Sequence, residues 1–361
     1  MKKKTNRVMF LLGLFIVSML TGCNGSGTTA PGAATDEPSG EEKENTVYTM
    51  NVAHLCVEED SMHQGALYFE KILEERSDGR IQVDIFPNKV LASSDQELIE
   101  ACRNGSLQMA ITTTFYVGTT STELKHLNIF EYPYLFETSE ELYAFCNSEL
   151  GLSLDEEVYN LSNGLKTYGV YSPAWYKIGT VKKPVETLDD LKGQKIRTTN
   201  SDIDMAVIKA LGGSATPINY GEVYTALQQG TADGNCTATN LILSEKYYEV
   251  MPNITASNTK PHLLYPAINV SWYNSLPEDL QTCVDECMRE YISWIRDYGE
   301  KVEEDSLKEL EEVANVIYLS DDEKRKFIEA TRSVWVDYAD NVGQDYLDEV
   351  IEFLEEYRAN N

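Results

Sequence analysis

Arg197 is the side chain best placed in this sequence to recognise something by charge. It lies in Lys195-Ile196-Arg197, directly after Leu191-Lys192-Gly193, which reads as a helix end with a glycine stop. Residues 194–198 should then form a strand, with Lys195 and Arg197 on one face and Ile196 on the other. A guanidinium near the carboxyl end of that strand can hold a carboxylate through two parallel hydrogen bonds. The competing reading is a surface arginine paired with one of the chain's many acids. A second cation, Lys177, stands beside two aromatics in Trp175-Tyr176-Lys177. His54 ends an expected strand, where a ligand contact and a structural histidine are equal alternatives. His63, His126 and His262 share no metal-ligand spacing. The sequence has no His-Glu-x-x-His zinc motif, nucleophile elbow or phosphate-binding loop, so no catalytic set or cofactor is expected.

The chain around these cations is acidic. Its 361 residues carry 59 Asp and Glu against 30 Lys and Arg, a formal net charge of −29. Nucleic acid and anionic lipid are poor partners for such a surface. An anion site on it must be built from a few well-placed cations, although solubility alone also accounts for the acidic excess. With 42% hydrophobic and 10% aromatic residues, the chain can build a sizeable core divided between two lobes.

The first residues read as a targeting segment. Lys2, Lys3, Lys4 and Arg7 precede an apolar stretch at 8–20 that is short for a membrane span. Leu20-Thr21-Gly22-Cys23 then resembles a bacterial lipobox, in which Cys23 would carry the lipid and hold the protein to the membrane on its outer side. The alternative is an ordinary cleaved signal peptide with a chance cysteine. Residues 23–45 are rich in Gly, Ser, Thr, Pro and acids, and read as a flexible tether. The Gly25-Ser26-Gly27 run within it fits a dinucleotide fingerprint, but no strand precedes it and no helix follows. Cys56, Cys102, Cys146, Cys236, Cys283 and Cys287 lack C-x-x-C spacing and read mostly as small buried hydrophobes; a disulfide among them stays open.

Stepping along the chain, apolar periodicity predicts a strand at 47–54, a helix carrying Met62, Ala66, Phe69 and Leu73, a strand at 81–85, a helix capped by Ser94, and a strand through Leu107, Met109 and Ile111. This β-α-β-α-β order implies a mainly parallel sheet, whose ligands sit beyond the carboxyl ends of its strands, at His54 and residues 112–116. The alternation restarts with strands at 165–170 and 194–198 and helices at 201–211 and 223–229. Residues 276–313 read as one long helix, broken at most by Gly299, long enough to brace two lobes. Acidic helices at 321–338 and 344–357 follow.

Several blocks, in order, resemble a known family. They include Asn104-Gly105-Ser106-Leu107, Tyr132-Pro133-Tyr134, Asp190-Leu191-Lys192-Gly193-Gln194-Lys195-Ile196-Arg197, Glu222-Val223-Tyr224-Thr225-Ala226-Leu227-Gln228 and Ala232-Asp233-Gly234. From about residue 48 to 280 the chain is similar to the DctP-type substrate-binding proteins of tripartite ATP-independent periplasmic (TRAP) transporters. The resemblance implies an α/β, two-lobed, periplasmic-binding-protein-like fold with a ligand cleft between lobes and a long bracing helix. Lobe I would span 46–172 plus about 262–300, and lobe II 173–261 plus about 301–361. It also implies a small organic acid as ligand, with a small and a large membrane subunit as partners. By the same resemblance Arg197 is the ligand-carboxylate arginine, and Lys177 stands where a second arginine is common. Tyr220, Thr113 and Tyr116 fall on pocket segments, and Trp175 adjoins Lys177. Asn235, Cys236 and Thr237 follow the Asp-Gly turn, and the last two replace a customary glutamate and asparagine. The rival classes are an enzyme acting on an anionic sugar, which would need an acid–base pair near Arg197, and a surface adhesin.

Overall fold

A computed structural model describes residues 46–361. The leader at 1–22, the tether at 23–45 and the proposed lipid-attachment residue Cys23 lie outside the described residues.

The first sheet begins with β1 (Tyr48–Ala53), α1 (Ser61–Arg76), β2 (Ile81–Phe86), α2 (Asp95–Arg103) and β3 (Met109–Thr113). β1 pairs in parallel with both β2 and β3. In β2, buried Ile81 and Val83 alternate with exposed Gln82 and Asp84, which fixes the face it turns to the core. Ser94 caps α2 by accepting from Glu97 N at 3.3 Å, while the Glu97 carboxylate accepts from Ser93 N at 2.8 Å. Next come α3 (Thr114–Gly118), α4 (Ser139–Cys146) and α5 (Glu149–Leu161).

The strand expected at 165–170 is only two residues long, β4 (Leu165–Lys166). Asp155 explains the early end. Its Oδ1 accepts from Thr167 Oγ1 at 2.6 Å and from Gly169 N at 3.0 Å, so a side chain takes the backbone donor that a ladder would have used. Gly169 itself sits at φ +104°, outside strand geometry.

β5 (Tyr176–Thr180), β6 (Lys195–Thr198), α6 (Asp202–Ala210), β7 (Ser214–Pro217), α7 (Val223–Gln229), β8 (Gly234–Ala238), α8 (Thr239–Ser244) and β9 (Asn253–Thr255) form the second half. The chain then recrosses as β10 (Leu264–Asn269), antiparallel between β3 and β4. The first sheet therefore has the order β2-β1-β3-β10-β4, parallel in its first three strands and antiparallel at its far edge. After α9 (Val270–Ser275) and α10 (Glu278–Val313), β11 (Asn315–Ile317) completes the second sheet, ordered β11-β9-β5-β8-β6-β7. The two crossing segments touch each other through the bridges Tyr171–Leu264 and Trp175–Pro261.

α10 has 36 residues, a rod of about 54 Å at 1.5 Å per residue. Its first half buries Val284, Met288, Tyr291 and Ile295 with Phe69 and Leu73 of α1 beneath the first sheet. Its far end buries Leu310 with Val223, Leu227 and Ile254 beneath the second. One helix thus spans both lobes. It runs through Gly299 without a break, because a Cβ there would stand 2.4 Å from the Ser172 carbonyl oxygen; glycine lets the crossing segment lie against the helix. α11 (Asp321–Asp337), α12 (Ala339–Val342) and α13 (Gln344–Asn360) close the chain, α11 against α6 and α13 against α4. The six described cysteines are free thiols.

Candidate functional site

β6 lies between β7 and β8, and Arg197 is its third residue, opposite Thr216 and Asn235. The residue is 5% exposed, and Nε donates to Ile218 O at 2.9 Å, which anchors the stem and leaves the terminal nitrogens for other partners. Among the described residues no carboxylate lies within 4.0 Å of it. A buried cation without an ionic partner costs several kcal/mol unless something compensates it.

What lies beside Arg197 is a cavity of about 50 Å³ between the two sheets. From the first lobe come Leu55, Cys56, Met62, Asp95, Ile111, Thr113 and Tyr116; from the second, Tyr176, Thr199, Tyr220, Thr237 and Leu241; His262 and Leu264 come from the crossing segment. The wall is mostly apolar with a few converging polar groups, as a small-molecule site needs. Burial pushes the Tyr116 hydroxyl up to about 12 and raises the Cys56 thiol well above its usual range, so both stay neutral. Burial lowers His262 to about 3, and it too is neutral.

Asp95 opens α2, and its Oδ1 accepts from Thr112 Oγ1 at 2.6 Å. Burial pushes its carboxyl up, while the Thr112 bond and the Arg197 charge pull it back. Tyr220 donates from its hydroxyl to Glu245 Oε1 at 2.9 Å, and Lys89 Nζ stands 4.8 Å from its ring centre. Lys89 also reaches Glu245 Oε2 at 3.3 Å. Deeper in, Asp60 Oδ2 accepts from Asn240 Nδ2 and Ser244 Oγ, both at 2.9 Å. These bonds tie the first lobe to α8 at the edge of the cavity.

The structure gathers Arg197, Tyr220, Thr237, Thr113 and Tyr116 around one space. Asn235 is adjacent: fully buried, in register with Arg197, with neither amide atom partnered. Cys236 instead lines a smaller void of about 10 Å³ next door, with Glu131, Asp204 and Lys260. There Lys260 Nζ lies 2.5 Å from both Glu131 Oε2 and Asp204 Oδ1. Burial works against its charge, but the two carboxylates reverse that and keep Lys260 protonated.

Besides Asn235 and Cys236, three expected site residues do not line the cavity. Lys177 shares a sheet face with Thr237, Asn235 and Arg197 by strand register, yet its ammonium is occupied. Nζ donates to Glu303 Oε1 at 2.6 Å and to Asn258 Oδ1 at 2.7 Å, and the residue is fully buried. Trp175 donates its backbone N–H to the same Glu303 at 3.2 Å and does not line the cavity. His54 turns Nε2 to His63 Nδ1 at 3.2 Å, with burial lowering it to about 3. Conversely, Asp95, Tyr176 and His262 line the cavity without having been singled out for it. Asp95 is hidden as the first residue after a helix cap, and Tyr176 between Trp175 and Lys177.

A family described as bacterial extracellular solute-binding protein, family 7 (DctP) matches residues 52–341. The C4-dicarboxylate-binding protein DctB of Bacillus subtilis is 28% identical over 304 residues, covering 83% of this chain and 85% of that protein. The 2,3-diketo-L-gulonate-binding periplasmic protein YiaO of Escherichia coli is 27% identical, covering 75% of this chain and 80% of its own length. Among solved structures, a TRAP periplasmic solute-binding protein from Sulfurospirillum deleyianum with bound succinate superposes with a TM-score of 0.79 at 25% identity, covering 84% of this chain and 98% of that one. The sugar acid binding protein DctPAm from Advenella mimigardefordensis, in complex with galactonate, gives 0.81 at 22%, covering 86% and 99%.

Proposed function

The chain belongs to family 7 of the bacterial extracellular solute-binding proteins, and from that premise we propose that its cleft traps a small organic anion, held by Arg197, for delivery to a TRAP-type membrane transporter. The family consists of solute receptors, not enzymes. The observation that carries the proposal is the buried Arg197 guanidinium without a carboxylate partner, facing an interlobe cavity. A ligand carboxylate would supply the missing charge through two parallel hydrogen bonds. The unpartnered Asn235 amide and the Tyr116, Tyr220 and Thr237 hydroxyls would complete its surroundings.

The lobes divide near residues 172–173 and 261–262, and the crossing segments there serve as the hinge. A ligand favours the closed form only through contacts it makes better there. Arg197 and Thr237 on one lobe with Thr113 and Tyr116 on the other meet that requirement, and the closed form is what the small and large membrane subunits would recognise. No helix of the described residues is long and apolar enough to cross a membrane. Attachment to the outer side of the membrane falls instead to lipid on Cys23.

A thermal-shift screen of hydroxy acids, keto acids, dicarboxylates, aldonates and uronates tests the receptor reading. A ligand at 100 times its Kd should add about 2.7 kcal/mol of stability. A panel in which no organic acid stabilises the protein, while neutral solutes do, overturns it.

A further inference from the structure

The cations around the cavity differ in how free they are. Lys260 is held by Glu131 and Asp204, Lys177 by Glu303, and Lys89 by Glu245. His262 on the cavity wall is neutral, because burial lowers it to about 3. Arg197 alone among the groups lining the cavity offers an unpaired positive charge, as far as the described residues go. The same wall carries an acid, Asp95, which makes no ion pair with Arg197 but hydrogen-bonds Thr112 at 2.6 Å.

This inventory treats two kinds of ligand differently. One carboxylate can occupy Arg197. A second would find no free cation left on the cavity wall, and would meet Asp95 as a like charge. A hydroxyl adds no charge, and it can donate to a carboxylate acceptor in a strong, charge-assisted hydrogen bond. Space acts in the same direction. A cavity of about 50 Å³ is small beside the roughly 300–1,000 Å³ of ordinary ligand pockets, so the ligand's carbon chain is short.

Resting on the receptor reading above, we infer that the site selects a short hydroxylated monocarboxylate over dicarboxylates, with Asp95 as the residue that accepts the ligand's hydroxyl. The chain would then differ in ligand from its similar relatives that bind C4-dicarboxylates. Asp95 is suited to that part because α2 and the Thr112 hydroxyl fix its position before any ligand arrives.

Calorimetry on the purified protein with glycerate, propanoate, succinate and malate tests this. Glycerate should bind at least about tenfold more tightly than propanoate, which lacks the hydroxyls, and about 100-fold more tightly than succinate. Malate, with a hydroxyl and two carboxylates, should follow succinate. Asp95→Asn keeps the shape and removes the charge, so it should narrow the gap between glycerate and succinate by about tenfold. If that variant does not fold, the wild-type ranking still decides. Succinate or malate binding more tightly than glycerate overturns the inference while leaving an anion site at Arg197 intact, and failure of glycerate to bind overturns it as well. An Arg197→Lys variant that keeps full affinity for whichever acid binds faults the receptor site itself instead.

Discussion

Lys177 gives the sharpest separation between a scaffold role and a binding role. Its ammonium is fully buried and lies 2.6 Å from Glu303 Oε1. Glu303 does more than neutralise it: Oε1 also accepts from Thr239 Oγ1 at 3.1 Å, and Oε2 from Trp175 N at 3.2 Å. α10 is thereby fastened to β5, to the start of α8 and to the crossing segment at once. Removing one partner of a buried pair leaves the other uncompensated, at about 3–5 kcal/mol. Glu303 is the more solvated of the two, with a side chain 16% exposed against 0% for Lys177. Glu303→Gln should therefore destabilise more than Lys177→Met, near the upper end of that range. Burial lowers the Lys177 pKa from 10.5 and Glu303 pulls it back. Without the carboxylate the folded-state value falls further below the unfolded one, so the unfolded chain binds the extra proton and the variant gains stability as pH rises into the alkaline range. Urea unfolding of both single variants and of Lys177→Met/Glu303→Gln gives the coupling energy, and the double variant should recover much of the loss. Calorimetry on Lys177→Met should show ligand affinity within about threefold of wild type, roughly 0.7 kcal/mol. A tenfold loss of affinity with unchanged urea midpoint would refute the scaffold assignment and return Lys177 to the ligand.

Other perturbations read other parts of the account. Gly299→Ala gains about 1 kcal/mol of helix propensity, but its Cβ meets a backbone oxygen at 2.4 Å, and overpacking of that kind costs about 1–3 kcal/mol; the urea midpoint should fall, and an unchanged or higher one contradicts the close approach. His262 has its folded pKa lowered to about 3 against 6.5 unfolded, so its contribution is present above the unfolded value and is lost as pH falls. Between about pH 7.5 and about pH 5.5 wild type should lose about 1.4 kcal/mol more than His262→Gln does; parallel pH profiles would disprove a neutral buried ring. Cys23→Ala should release the protein from membranes in its native host, and unchanged retention rules out the lipid anchor.

The elements from β1 to β3 and the long helix α10 were legible because each satisfies itself locally. Ser94 caps its own helix, β2 alternates cleanly, and α10 carries a long unbroken apolar stripe. β4, β9 and β11 escape a local reading for one physical reason: partners far away in sequence. β4 stops after two residues because Asp155 captures Gly169 N. β9 and β11, at three residues each, are too short for periodicity to mark them, and they exist because each pairs with a strand distant in sequence. The same holds for the site. Arg197 stands out by its position on a predicted strand, but nothing near Lys177 in sequence announces a carboxylate 126 residues on. Asp95 shows the reverse case: a first-turn acid is ordinary for a helix N-terminus, and only the packing of α2 against β3 turns it toward a cavity that also holds Arg197.

The central claim, that Arg197 is the anion-binding group, is tested most directly by calorimetry on Arg197→Lys with the tightest-binding organic acid. Lysine keeps the charge but cannot present two parallel donors to a flat carboxylate. Affinity should fall about 100-fold or more, roughly 2.7 kcal/mol, with the ligand-free protein destabilised by only about 1 kcal/mol, since the Nε bond to Ile218 O is lost but no ion pair is. Wild-type affinity in Arg197→Lys would contradict the account.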